Sequence, residues 1–102
     1  MAAKQFVEKA IADNKVVVFS KTYCPFCTKA KNALKQFLKE FTCIEIENRP
    51  DCNEIQDALA EITGGRSVPR VFIGGKFIGG GDDTAAKAAS GELKTLLAAQ
   101  GL

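Results

Sequence analysis

Apolar residues recur along this chain in distinct rhythms, and each rhythm predicts an element. Phe6, Val7, Ala10 and Ile11 repeat at helical spacing, which predicts a helix over about 3–13 that ends near Asn14. Val16-Val17-Val18-Phe19 is an unbroken apolar run, the pattern of a strand covered on both faces. Ala30, Ala33, Leu34, Phe37, Leu38 and Phe41 then mark one face of a helix of roughly four turns that reaches Phe41. Cys43-Ile44-Glu45-Ile46-Glu47 alternates, so a second strand is expected there, parallel to the first through the intervening helix.

The second half continues in the same way. Asp51 with Glu54 has the spacing of a capping box, and Ile55, Ala58, Leu59 and Ile62 form the apolar face of the helix it opens. Thr63-Gly64-Gly65 ends that helix. Val71-Phe72-Ile73 and Lys76-Phe77-Ile78 flank Gly74-Gly75, a strong two-residue hairpin signal. Asp82 or Asp83 is expected to cap a short helix, and Gly91 separates it from a last one carrying Leu93, Leu96 and Leu97. The order α-β-α-β-α-β-β-α-α describes an α/β chain with a four-stranded mixed sheet and helices on both faces.

Composition narrows the function classes. A chain of 102 residues has the size of one domain, here residues 1–102, and 46% hydrophobic content supplies a core without a structural metal. A net charge of +2 is too small to argue for nucleic acid. No apolar run is long enough to span a membrane. The start, Met1-Ala2-Ala3-Lys4-Gln5-Phe6, lacks a signal-peptide core, so a cytoplasmic protein is expected. Histidine is absent, which removes histidine general-base catalysis and mixed Cys/His metal sites.

The chemistry lies in Cys24-Pro25-Phe26-Cys27, placed where the buried strand turns into the long helix. At the helix cap Cys24 meets the unpaired N–H groups of the first turn and the positive end of the helix dipole, and both favour thiolate over thiol. Lys21 adds a nearby positive charge. Pro25 suits the first helical position, where its missing N–H costs no helical bond. Residues three apart share a helix face, so Cys27 is within reach of a disulfide with Cys24. Cys24 is expected to be the exposed attacker and Cys27 the recessed resolver. A structural disulfide or half of a zinc site is the plainer alternative. Cys43, on a buried strand, is expected to act as a small hydrophobe, and Cys52 to lie exposed at a helix start; neither is assigned to catalysis.

Three separated motifs, Lys21-Thr22-Tyr23-Cys24-Pro25-Phe26-Cys27, Thr63-Gly64-Gly65-Arg66-Ser67-Val68-Pro69 and Gly79-Gly80-Gly81-Asp82-Asp83-Thr84, resemble those of the dithiol glutaredoxins over nearly the whole chain. The resemblance implies a thioredoxin-like fold and glutathione-dependent thiol–disulfide exchange, with Cys24 and Cys27 as the redox-active pair. Tryptophan, usual before the first cysteine of a thioredoxin proper, is absent. The resemblance also implies a glutathione site. Val68, before a Pro69 expected to begin a strand and in a peptide that is cis in the family, is the candidate backbone rail; a simple Val-Pro loop is the alternative. The amides at Gly81 suit the γ-glutamyl carboxylate and Asp82 the ammonium, although Asp82 and Asp83 also serve as helix caps. Lys21 and Gln56 are the candidates for the glycine carboxylate, with Gln56 expected to point away from the core; each is otherwise an ordinary solvated residue. Tyr23 is expected to cover the ligand backbone, and Arg66 to support the ligand or pair with a protein carboxylate. The chain departs from the family pattern at Gly65, where Gln is common, at Arg70 (Asn), at Phe26 (Tyr) and at Gly81 (Cys or Ser).

These features imply an enzyme without a bound cofactor that uses glutathione as reductant. Its partners would be glutathione and glutathionylated or disulfide-containing proteins, with no nucleic acid or membrane partner, and it would act as a monomer. One rival is a homodimer holding a [2Fe–2S] cluster between two Cys24 thiolates and two glutathiones; family members that do so usually have Gly or Ser in place of rigid Pro25. A zinc site from Cys24, Cys27, Cys43 and Cys52 is the other, and its second pair has the wrong spacing for a knuckle.

Overall fold

The computed structural model describes residues 2–102, whose elements run α1 (Ala2–Asp13), β1 (Val16–Ser20), α2 (Pro25–Lys35), β2 (Thr42–Glu45), α3 (Cys52–Thr63), β3 (Arg70–Ile73), β4 (Lys76–Gly79), α4 (Gly81–Ser90) and α5 (Glu92–Ala98). This is the expected order. The sheet is ordered β2-β1-β3-β4, with β1 and β2 parallel and the other neighbours antiparallel. Every residue of β1 is buried, as its unbroken apolar run requires of a central strand. Gly74 and Gly75 have φ of 61° and 82°, the positive pair that a tight hairpin turn demands.

Alternation along the strands divides the core in two. Val17, Phe19 and Phe72 face α1 and α3, where they pack with Val7, Ile55 and Leu59. Phe19 and Phe72 meet edge-to-face at 5.9 Å. Val16, Val18, Val71 and Ile73 face the other way and pack with Ala30, Leu34, Leu93 and Leu97 of α2 and α5. This is the thioredoxin-like arrangement, with helices on both faces of a mixed sheet. No helix among the described residues is long and apolar enough to cross a membrane.

Local details depart from the sequence pattern. Helix α2 stops at Lys35, not Phe41, because the N–H groups of Gln36 and Phe37 turn to the carbonyls of Ala33 and Leu34, three residues back, and tighten the last turn. Leu38 and Phe41 still pack on the core from the turn that follows, which preserves the apolar rhythm beyond the helix. Strand β2 ends at Glu45 and lies at the sheet edge, so Cys43 is half-buried and not a core residue. Ile62, on the last turn of α3, is exposed.

Two caps also differ. The Asp51 side chain makes no capping bond; the Arg49 guanidinium, 2.9 Å away, engages its carboxylate and holds it below its ordinary pKa. Gly80, and neither aspartate, is the N-cap of α4; Asp82 and Asp83 lie in the first turn, where their charge suits the helix dipole. Strand β3 begins at Arg70, one residue after Pro69.

Candidate active site

The end of β1 delivers the chain to a turn closed by the Cys24 N–H on the Lys21 carbonyl at 3.1 Å. Cys24 is the N-cap of α2 in an extended conformation, and Pro25 is the first helical residue. The Cys24 sulfur accepts the Cys27 N–H at 3.4 Å, as a cap side chain does. It also lies 3.7 Å from the Val68 carbonyl oxygen, across the Val68–Pro69 peptide, which is cis. Cys24 is half-buried and Cys27 is wholly buried, and both are free thiols.

The environment of Cys27 sets its acidity. Burial pushes its thiol up to about 11, the adjacent Cys24 adds to the rise, and the Lys21 N–H and the Ser20 hydroxyl oppose it. The Lys21 N–H donates to the Cys27 sulfur at 3.4 Å. Cys43 is also raised, first by burial and then by the neighbouring Glu45 charge. Cys52, half-buried at the start of α3, is within 3.6 Å of the Gln56 amide oxygen.

Beside the Cys24 cap is an open cavity of about 370 Å³ lined by Phe26, Val68, Pro69, Gly81, Asp82 and Asp83. Val68, Pro69 and the start of α4 thus face one space. Tyr23 is 70% exposed and Phe26 54%, so two rings stand in solvent on either side of Cys24. The loop that carries Lys21 and Tyr23 is tied down between them. Glu47 accepts both the N–H and the hydroxyl of Thr22, and these bonds, helped by the Lys21 charge, hold its carboxyl below the ordinary range.

The remaining candidates sit differently. Gln56 does not point to solvent: it is 9% exposed, and its amide donates to the Arg66 carbonyl at 2.9 Å. The loop after α3 folds back over this face of the helix and offers a carbonyl in need of a donor, which outweighs hydration of the side chain. Arg66 pairs with the Asp57 carboxylate at 2.9 Å, one of the two roles expected of it. Asp82 is met by the Lys29 ammonium at 2.6 Å.

The departures from the family pattern have structural counterparts. A Cβ at Gly65 would fall 1.9 Å from a terminal nitrogen of Arg70, whose guanidinium also donates to the Ser67 hydroxyl at 3.2 Å. The missing side chain at 65 and the large one at 70 therefore go together. At Gly81 a Cβ would lie 2.5 Å from the Phe26 carbonyl oxygen, so α4 approaches the first turn of α2 more closely than any other residue would permit. Sequence reasoning missed Thr22–Glu47 and Lys29–Asp82, because each joins residues 25 and 53 positions apart. Among the described residues, no three or more Cys, Asp or Glu side chains gather as a metal-binding group.

Residues 16–78, from β1 into β4, match the family model described as Glutaredoxin. A glutaredoxin of Ricinus communis is 51% identical over 94 residues, covering 92% of each chain. The crystal structure of oxidized glutaredoxin 2 from Chlamydomonas reinhardtii is similar at a TM-score of 0.96 and 62% identity, covering 98% of this chain and 94% of that one. The buckwheat glutaredoxin–glutathione complex is similar at a TM-score of 0.91 and 41% identity, covering 98% and 91%. With paired thiols at the helix start and a match that runs through all four strands, the chain belongs to the glutaredoxin family, thiol–disulfide oxidoreductases of the thioredoxin fold.

Proposed function

We propose that residues 1–102 act as one glutaredoxin domain that reduces protein–glutathione mixed disulfides with Cys24 alone and protein disulfides with Cys24 and Cys27. The observation that carries this reading is the contrast between the two sulfurs. Cys24 is reachable, receives an N–H at a helix cap and stands 3.7 Å from the Val68 carbonyl beside an open cavity, whereas Cys27 is sealed beneath it. The buckwheat relative bound to glutathione, at 41% identity, supports the choice of ligand.

In the first reaction the Cys24 thiolate attacks the glutathione sulfur of a mixed disulfide. The substrate protein leaves as a thiolate and takes a proton from solvent. A second glutathione, as thiolate, attacks the Cys24-bound glutathione and releases oxidised glutathione. In the second reaction Cys24 attacks a protein disulfide, and Cys27 displaces the substrate by closing the Cys24–Cys27 bond, which glutathione later reduces. Val68 and Pro69 line the backbone rail, Gly81 and Asp82 receive the γ-glutamyl end, Lys21 receives the glycine carboxylate, and Tyr23 covers the ligand backbone. Gln56 acts indirectly, by fixing the loop through Arg66. The test is glutathione-coupled reduction of a glutathionylated protein: Cys24→Ser is expected to be inactive and Cys27→Ser to retain the reaction. Equal loss in both overturns the single-thiol route.

A further inference from the structure

One of the three arginines in this chain lacks the counter-charge that the other two have. Arg49 meets Asp51 and Arg66 meets Asp57, each with Nε 2.9 Å from a carboxylate oxygen. Arg70 is half-buried and forms no ion pair among the described residues. Its Nε is buried without a hydrogen-bond partner. The head group is nonetheless held in place. A terminal nitrogen donates to the Ser67 hydroxyl at 3.2 Å, and the guanidinium carbon stands 5.2 Å from the centre of the Phe77 ring. Gly65 leaves the room for it, since a Cβ there would fall 1.9 Å from that same nitrogen. Arg70 also lines the open cavity beside Cys24, together with Ser67, Val68, Pro69 and Asp82. The Asp82 carboxylate is already met by Lys29 at 2.6 Å. A cation drawn partly out of water, fixed in orientation and given no counter-charge is prepared for an anion from outside.

We propose that Arg70 receives a carboxylate of the substrate protein, an aspartate or glutamate close to its glutathionylated cysteine, and so selects acidic substrates. The inference rests on the deglutathionylation reading given above. The source of the carboxylate follows from a count of charges. Glutathione brings two carboxylates, and in that reading the amides at Gly81 take one and Lys21 takes the other. Arg70 is a third receptor for negative charge on the same space, and no glutathione carboxylate is left for it. The remaining half of the mixed disulfide is the substrate protein, joined at the sulfur next to the one that Cys24 attacks. A guanidinium fork of fixed donors suits a carboxylate, which it can hold by two parallel bonds. Asn, common at this position in the family, carries no charge, so the selection belongs to this chain through Gly65 and Arg70 together. The substrate protein leaves before the second glutathione attacks, and Arg70 therefore acts on the first step and not on the second.

Glutathione-coupled reduction of a small set of mixed disulfides tests this. One joins glutathione to mercaptoethanol and carries no carboxylate beyond those of glutathione. Two others join it to peptides identical except for Glu or Gln beside the cysteine. Rates at low substrate concentration give kcat/KM for each. The unmodified protein is expected to prefer the Glu peptide by roughly three- to tenfold at low salt. That preference should fall toward unity near ~1 M salt. In Arg70→Gln the preference is expected to vanish, while the mercaptoethanol disulfide reacts within about twofold of the unmodified rate. The dependence of rate on glutathione concentration at saturating substrate should be the same in both proteins, whereas a damaged fold or glutathione site would change it. If Arg70→Gln does not fold, the preference of the unmodified protein and its loss in salt still decide the matter. Equal rates on the two peptides in the unmodified protein, a preference kept by Arg70→Gln, or an equal fall on all the substrates overturns the proposal. The last of these would assign Arg70 to glutathione itself. No reduction of the mercaptoethanol disulfide by the unmodified protein overturns the deglutathionylation reading instead.

Discussion

On the side of the sheet covered by α1 and α3, Val17, Phe19 and Phe72 meet Val7, Ile55 and Leu59 in an apolar cluster. The polar side chain buried there among the described residues, Gln56, spends its amide on a backbone carbonyl. On the side covered by α2, α4 and α5, Val16, Val18 and Val71 share the surface with Ser20, Cys27 and the Lys31–Glu45 pair. Both sides exclude water, but the second encloses the wholly buried Cys27 thiol, whereas the thiol on the first, Cys52, is half-buried at the edge of its cluster. Burial on the first side supplies hydrophobic stabilisation. On the second it also raises the pKa of a reacting thiol. The division teaches that one sheet can carry the weight of the fold on one face and tune a sulfur on the other.

The largest effects should respect that division. Leu59→Ala empties part of the first cluster and is expected to cost about 2–5 kcal/mol, read by denaturant unfolding, while leaving the alkylation rate of Cys24 unchanged in folded protein. Gly81→Ala forces a methyl toward the Phe26 carbonyl, with 2.5 Å available, and is expected to cost about 1–3 kcal/mol and to change the Cys24 rate as well, since Phe26 belongs to the first turn that caps that sulfur. Equal effects of the two substitutions on Cys24 would remove the distinction.

A smaller effect, confined to alkaline pH, tests the buried thiol directly. Cys27 titrates at about 11 in the fold against an ordinary 9.0, so the folded state binds that proton more tightly than the unfolded chain. The resulting stability is complete below about pH 9 and is lost as pH rises through about 11. Unfolding midpoints across that range should fall for the unmodified protein and fall less steeply for Cys27→Ser. A remainder is expected from Cys43, whose thiol burial also raises. Identical pH profiles for the two proteins would mean that Cys27 gains nothing from staying neutral.

What was legible in the chain follows the range of the interaction that decides each feature. The four strands, the hairpin and the order of helices follow from local periodicity and from Gly74-Gly75, and the structure has them all. Cys24 at the cap and Cys27 beneath it follow from spacing alone, because three residues set both sulfurs in one turn. Gln56 was misread because its neighbour Ile55 marks the core face, whereas a carbonyl ten positions away captures the amide. Asp51 was misread because Arg49 outcompetes the helix N–H groups for its carboxylate. The Ser20–Glu45 pairing depends on strand register, which no periodicity within either strand reports.

The smallest effect concerns charge at the surface of the second side. Lys29 and Asp82 are 2.6 Å apart but 50% and 71% exposed, so water competes for both groups and the pair gains little over its solvated parts. Lys29→Met is expected to change stability by no more than about 0.5 kcal/mol, and the change should vanish near ~1 M salt, where screening acts over about 3 Å. Lys31→Met is the control: its pair is 19% and 31% exposed, and removing the ammonium leaves a carboxylate with one oxygen already unpartnered. The expected cost there is about 1–3 kcal/mol, because an acceptor left unsatisfied out of water loses its hydration without recompense. Denaturation of both variants at low and high salt compares them directly. If Lys29→Met costs as much as Lys31→Met, and keeps that cost in salt, then burial does not grade the charges on this side.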